Sequence, residues 1–174
     1  MKTMLKLCQL LMIFIFLTAL TGCISKDELS EDLPQRKTTQ LGLYLSSVEA
    51  YDFLKKEGNK VLFIDVRTPG EITAEGMPAL ADANIPYIMQ RSKTEVVVNN
   101  DFVPAVEARL KEKGLDKQSP ILLICRQGNR SAKAVDALAK VGYQKVYHVV
   151  DGANGWKQGQ LPWSSQVDSE KMSF

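Results

Sequence analysis

Cysteine is scarce in this chain of 174 residues: there are three, and only Cys125 lies beyond position 23. So few thiols exclude a disulfide framework, and no spacing of cysteine, histidine and acid suggests a metal site. Histidine is scarcer still. His148 stands alone in "KVYHVV", far along the sequence from any acidic cluster, and reads as a strand histidine held by a hydrogen bond rather than a catalytic base. Charge of one sign is missing as well, with 22 bases against 20 acids. An excess that small gives no argument for nucleic acid or for a polybasic membrane surface. Internal repeats and low-complexity tracts are also lacking.

No apolar run is long enough to favour a spanning helix. The stretch from Leu7 to Leu20 follows Lys2 and Lys6 and runs into small residues before Cys23, the layout of a secretory signal. The alternative is an uncleaved N-terminal anchor. "LTGC", from Leu20 to Cys23, resembles the lipobox of bacterial lipoproteins, which implies cleavage before Cys23 and acyl chains on it. Ile24 does not resemble the Asp of an inner-membrane retention signal, so a periplasm-facing lipoprotein of the cell envelope is expected, on the outer membrane rather than the inner. Several acyl chains together supply stable anchoring. Loss of residues 1–22 removes two lysines and no acid, leaving a neutral mature chain whose one free thiol is Cys125. The expected organisation is therefore a signal peptide over 1–22, lipidated Cys23 with a flexible polar linker over 23–43, a domain over 44–163, and a tail over 164–174.

Within the domain, helical and strand patterns alternate. "SSVEAYDFLKKEG" opens on a capping-box pair, Ser46 and Glu49, and stops at Gly58. "VLFIDV" reads as a strand buried on both faces, ending near Asp65. "RTPGEITAEGMPALADA" reads as loop with about one helical turn, and "NIPYI" as a short strand limited by Pro86. "NNDFVPAVEARLKEKG" offers Asn100 or Asp101 as a cap and tolerates Pro104 in its first turn. Then come the strand "PILLIC", the helix "NRSAKAVDALAKVG" and the strand "KVYHVV", leading into "DGANGWKQG". This order predicts an α/β fold, an open parallel sheet of about five strands with helices on both faces. Ligands in such folds sit at the carboxyl ends of strands, where Asp65 and Cys125 both fall.

A cysteine ending an apolar strand is often mere packing. Here it is followed by "RQGNRS". A tight turn between strand and helix aims backbone N–H groups at an anion, and Gly128 eases the turn. Arg126 and Arg130 add positive charge near the sulfur, which favours the nucleophilic thiolate. A purely packed cysteine needs none of these.

The stretch from about Tyr44 to Trp163 resembles a single-domain rhodanese, a sulfurtransferase. "LFIDVRTPGE", "NIP", "CRQGNRS" and "VVDGANGW" are similar to the family's signatures, in the family's order. The resemblance implies an open α/β domain and a two-step exchange through a Cys125 persulfide. A donor such as thiosulfate gives its outer sulfur to Cys125, and cyanide or a thiol then takes it, with no cofactor. It further implies that the loop Arg126, Gln127, Gly128, Asn129, Arg130 and Ser131 holds the donor, with Arg67 a further candidate. Asp65 supports the loop, and the other reading of Arg67 is an ion pair with Asp65, Glu71 being another possible partner. Rhodanese-like phosphatases resemble this chain less, because five residues separate their cysteine from the arginine and here four intervene before Arg130. Met77 stands where many members have a histidine. Trp156 and Trp163 read as packing residues. A second reading is a sulfur-relay or binding module serving an envelope partner, with little turnover of small donors. A monomer is expected.

Overall fold

The structure, a computed structural model, describes residues 33–92 and 94–172. The segment expected as a signal peptide, and Cys23, lie outside the described residues. Five strands form one sheet, all parallel: β1 (Tyr44–Leu45), β8 (Val146–Val149), β7 (Ile121–Ile124), β2 (Leu62–Asp65) and β4 (Ala83–Asn84), in that spatial order. The two central strands, LFID and ILLI, are buried at every position, as strands covered on both faces must be.

Helices cover both faces. On one, α3 (Phe102–Glu112) and α4 (Asn129–Lys140) bury Phe102, Val106, Leu110, Ala134, Val135 and Leu138 against Ile64, Ile121, Leu123 and Val146. On the other, α1 (Ser47–Glu57), α2 (Pro69–Glu75) and α5 (Gly152–Gln158) bury Ala50, Leu54, Ile72 and Trp156 against Phe63, Leu122 and Ile124. The expected α/β architecture of five parallel strands is the observed one.

Capping fixes where two of these helices begin. Ser46 and Glu49 close a reciprocal box at the start of α1. Thr68 and Glu71 close the same box at α2, with Pro69 in the first turn. Residues 67–83, expected as loop with one helical turn, thus hold a seven-residue helix and a short strand, β3 (Met77–Pro78). β3 pairs antiparallel with β9 (Trp163–Ser164), and β5 (Ile88–Gln90) forms a hairpin with β6 (Val96–Val98). The strand expected at "NIPYI" starts earlier, at Ala83, and extended pairing continues past it: Ile85 and Tyr87 donate their amides to Asp65 and Val66. Pro86, between them, has no amide to give.

Of the expected spacer 23–43, residues 33–43 are described, and they lie against the domain. Lys37 Nζ donates to the Val150 carbonyl at 2.9 Å, the Gln40 amide to Asp136 at 2.8 Å, and Leu41 packs on the core. Part of the expected tail 164–174 is docked too: Met172 bridges to Asn84, and Val167 and Met172 pack against the core on the α1, α2 and α5 face. Among the described residues no helix is long and apolar enough to cross a membrane.

Candidate active site

Cys125 immediately follows β7, where the sheet presents its carboxyl edge beside Asp65, the register partner of Ile124. Its side chain points to the face covered by α3 and α4 and is 1 % exposed. Two hydrogen-bonding groups reach the sulfur among the described residues: the Gly128 N–H donates to Sγ at 3.2 Å, and Ser131 Oγ lies 3.4 Å away. Gly128 sits in the left-handed region at φ 94° and caps α4; a Cβ there would strike the Val150 carbonyl. Only glycine fits that corner.

The start of α5 holds the loop from outside. The Ala153 amide donates to the Cys125 carbonyl at 2.8 Å and the Asn154 amide to the Arg126 carbonyl at 3.1 Å. Both loop carbonyls are thereby engaged by α5, while the Gly128 N–H donates to the sulfur.

The arginines are framed by carboxylates. Arg130 grips Glu71 through two parallel bonds of 2.6 and 2.8 Å. Glu71 meanwhile accepts from the Thr68 amide and hydroxyl, so one carboxylate caps α2 and anchors the cysteine loop. Burial alone would raise the Glu71 carboxyl, but the bonds from Arg130 and Thr68 outweigh it and hold it well below the ordinary range. Arg126 is the more exposed arginine; it donates to Glu71 at 3.1 Å and also pairs with Glu75. Gln127 is exposed, and Asn129 Oδ1 is buried with no hydrogen-bond partner among the described residues.

Arg67, a candidate for donor binding, is fully enclosed. Its guanidinium makes bonds of 2.7 to 3.1 Å to Asp65, donates to the Gly76 carbonyl at 2.7 Å, and lies 5.2 Å from the Trp163 ring. Nη1 makes no hydrogen bond among the described residues but lies 3.5 Å from Glu75. Burial lifts the Asp65 carboxyl while Arg67 opposes it. This geometry fits the ion-pair reading of Arg67, a brace under the loop. Asn84 adds to it, donating to the Asp65 and Arg67 carbonyls at 2.8 Å each. Met77 is buried in the core between the sheet and helices α1, α2 and α5.

His148 is the residue the sequence left outside the site. Strand β8 runs beside β7 with His148 opposite Leu123, two residues before Cys125. The same two-residue alternation that puts Val146 on the α3/α4 face puts the imidazole there too. Its Nδ1 lies 3.0 Å from Ser131 Oγ, and its Nε2 3.1 Å from the Lys37 carbonyl. The signal available in sequence was this strand alternation; Lys37 could not be foreseen, because its segment reads as spacer. Trp156 is fully buried, as expected of packing, and its indole N–H donates to Pro162 at 3.0 Å.

A family model described as Rhodanese-like domain matches residues 47–159. An uncharacterized protein of Rickettsia prowazekii (strain Madrid E) is 32% identical over 125 residues, which cover 68% of this chain and 94% of that protein. Thiosulfate sulfurtransferase 18 of Arabidopsis thaliana is 31% identical over 106 residues, 61% of this chain and 74% of its own. Among solved structures, the polysulfide-sulfur transferase homodimer from Wolinella succinogenes superposes with a TM-score of 0.53 at 23% identity, covering 83% of this chain and 87% of that one. At that identity the likeness is one of fold.

Proposed function

Because the chain belongs to the rhodanese-like domain family, whose sulfurtransferase-named members are its relatives, we propose that it moves sulfane sulfur through a persulfide on Cys125. The observation that supports this most is the seat of the sulfur: a thiol at a strand end, faced by the Gly128 N–H and Ser131 Oγ where α4 begins. Donors in that position stabilise a thiolate or persulfide anion formed on the sulfur.

In the first step the Cys125 thiolate attacks the outer sulfur of the donor. The Sγ–S bond forms, the donor's sulfur–sulfur bond breaks, and sulfite leaves with the bonding pair if the donor is thiosulfate. In the second, a thiolate or cyanide attacks the outer sulfur and Sγ leaves as thiolate, ready for another cycle. No cofactor enters. Arg126, exposed at the rim, would exchange Glu75 for the donor's oxygens, while Arg130 stays on Glu71 to keep the loop in shape.

The two carboxylates on the loop arginines favour a second reading alongside the first. Glu71 and Glu75 already supply the negative charge that a dianion would bring. A less charged carrier, such as a thiol persulfide or a partner protein's persulfide, meets no such competition, as a sulfur relay in the cell envelope would require. A monomer tethered through lipidated Cys23 completes this proposal.

The test is intact mass of the full chain after exposure to thiosulfate or, separately, to a thiol persulfide. Gain of one sulfur mass from either donor, absent in Cys125→Ser, is the expected result. Gain from the thiol persulfide alone would select the relay reading. Thiocyanate formation from thiosulfate and cyanide at undiminished rate in Cys125→Ser would remove Cys125 from the mechanism altogether.

A further inference from the structure

The sulfur, the Ser131 hydroxyl and the imidazole of His148 form an enclosed line, each residue 1 % exposed or less. The direction of its hydrogen bonds follows from its far end. The Lys37 carbonyl can only accept, so the hydrogen between it and His148 lies on Nε2. Burial, helped by the Lys37 ammonium and opposed by the Lys37 carbonyl, lowers the imidazole to about 4, so it is neutral near pH 7. Nδ1 then carries a lone pair, and Ser131 gives its one hydroxyl hydrogen to it across 3.0 Å. That hydrogen is no longer available to the sulfur at 3.4 Å or to the Gly128 carbonyl at 3.1 Å. Toward Cys125 the hydroxyl therefore presents lone pairs, and the thiol S–H donates to Ser131.

From this geometry we infer that Ser131 and His148 take up the proton of Cys125 when its thiol is activated. The S–H hydrogen passes to Ser131 Oγ as the hydroxyl hydrogen passes to Nδ1. Sγ becomes a thiolate faced by the Ser131 O–H and the Gly128 N–H, and the imidazolium donates from both ring nitrogens, to Ser131 and to the Lys37 carbonyl. No proton is gained or lost overall. The Sγ–S bond then forms and the donor's bond breaks as described above; when the acceptor removes the outer sulfur, Sγ regains its electron pair and the proton returns.

The surroundings decide how long the charge pair lasts. The Lys37 ammonium, bonded to the Val150 carbonyl, opposes an imidazolium from the N-terminal side. Tyr44 on β1 presents a ring 6.0 Å away, edge to face. Arg130 on α4 feels the sulfur's charge but is held by Glu71. The imidazolium is thus favoured by the thiolate and by little else, so the two charges appear together. Ser131 touches the reacting atom; His148 acts through it, as a positioning residue.

The use of this path rests on the sulfur-transfer reading, but its test does not. The full chain is alkylated at Cys125 with iodoacetamide and the rate followed against pH. A thiolate formed by internal transfer needs no proton lost to solvent, so the wild-type rate is expected to be level between about pH 5 and 7. In His148→Asn, which keeps an acceptor for Ser131 but holds no proton, the rate is expected to rise roughly tenfold per pH unit over that range, with a loss at pH 6 of about tenfold or more. Ser131→Ala should follow His148→Asn, and Ser131→Thr, which restores the hydroxyl, should keep the level region. A wild-type rate that climbs through the range, or a level region surviving in Ser131→Ala, overturns the path. A chain that takes up no sulfur from any donor yet shows the level region overturns the sulfur-transfer reading alone.

Discussion

Two side chains near the sulfur tie stability to pH in separate windows. His148 is lowered from 6.5 to about 4 by burial, so the folded state resists its protonation. Its contribution is fully present above pH 6.5 and drains as the pH falls through 4, by ~3 kcal/mol at most. Glu71 is depressed below its ordinary 4.5 by Arg130 and Thr68 against its burial, so its contribution is intact above that value and is lost only in stronger acid. Urea unfolding of wild type is therefore expected to weaken already between pH 6.5 and 4. His148→Asn should flatten that upper window and leave the lower one. Arg130→Ala should do the reverse and cost about 2 kcal/mol near pH 7, since it strips a two-bonded partner from a half-buried carboxylate. Arg126→Ala, at a rim position 44% exposed, should cost under about 1 kcal/mol. Equal losses for the two arginines would contradict this division of labour.

Among the elements, α5 explains why the cysteine loop keeps its shape, and it was invisible in the sequence. "GANGWKQ" has two glycines in one turn, a composition that disfavours helix by about 1 kcal/mol per glycine. Tertiary contacts outweigh that. Trp156 is buried against Phe63, 5.5 Å between rings, and the amides of Ala153 and Asn154 end on the cysteine loop. Gly152 has a positive φ of 64°, and a Cβ there would lie 2.5 Å from the Cys125 carbonyl. Gly152→Ala should therefore push the loop off its α5 donors, costing about 2 kcal/mol or more. Sulfur uptake, followed by intact mass, should slow at least tenfold even at temperatures where circular dichroism shows the variant folded. Uptake at the wild-type rate would mean that α5 only packs against the loop and does not shape it. The helix α2 was missed for a related reason: its T-x-x-E box is the same signal as the S-x-x-E box of α1, masked by Pro69 and Gly70.

At the scale of the whole molecule, legibility followed the range of the interactions. The central strands and the helices α1, α3 and α4 were readable because burial on two faces and helical periodicity are written locally. Cys125, Gly128 and the loop arginines were readable because they are contiguous. His148 and the packing of both ends were not, because nothing in the spacing of "KVYHVV" or of 33–43 announces that they meet. Lys37 and His148 are 111 positions apart, yet the Lys37 carbonyl is the far end of the line that begins at Cys125. That connection yields a prediction about length. Two deletions test it: removal of residues 24–32, which keeps the docked segment 33–43, and removal of residues 24–43. Deleting residues 24–43 removes the Lys37 carbonyl, the Lys37 bond to Val150, the Gln40 bond to Asp136 and the packing of Leu41. It leaves the Nε2 hydrogen without its carbonyl and opens the ring to water, a loss of about 2 to 4 kcal/mol. Hydration should also return the imidazole toward its ordinary range, so the decline in stability between pH 6.5 and 4 should shrink in the shorter chain. If both deletions unfold at the same urea concentration and with the same pH dependence, the docked segment contributes nothing to the fold, and His148 is fixed from the Ser131 side alone.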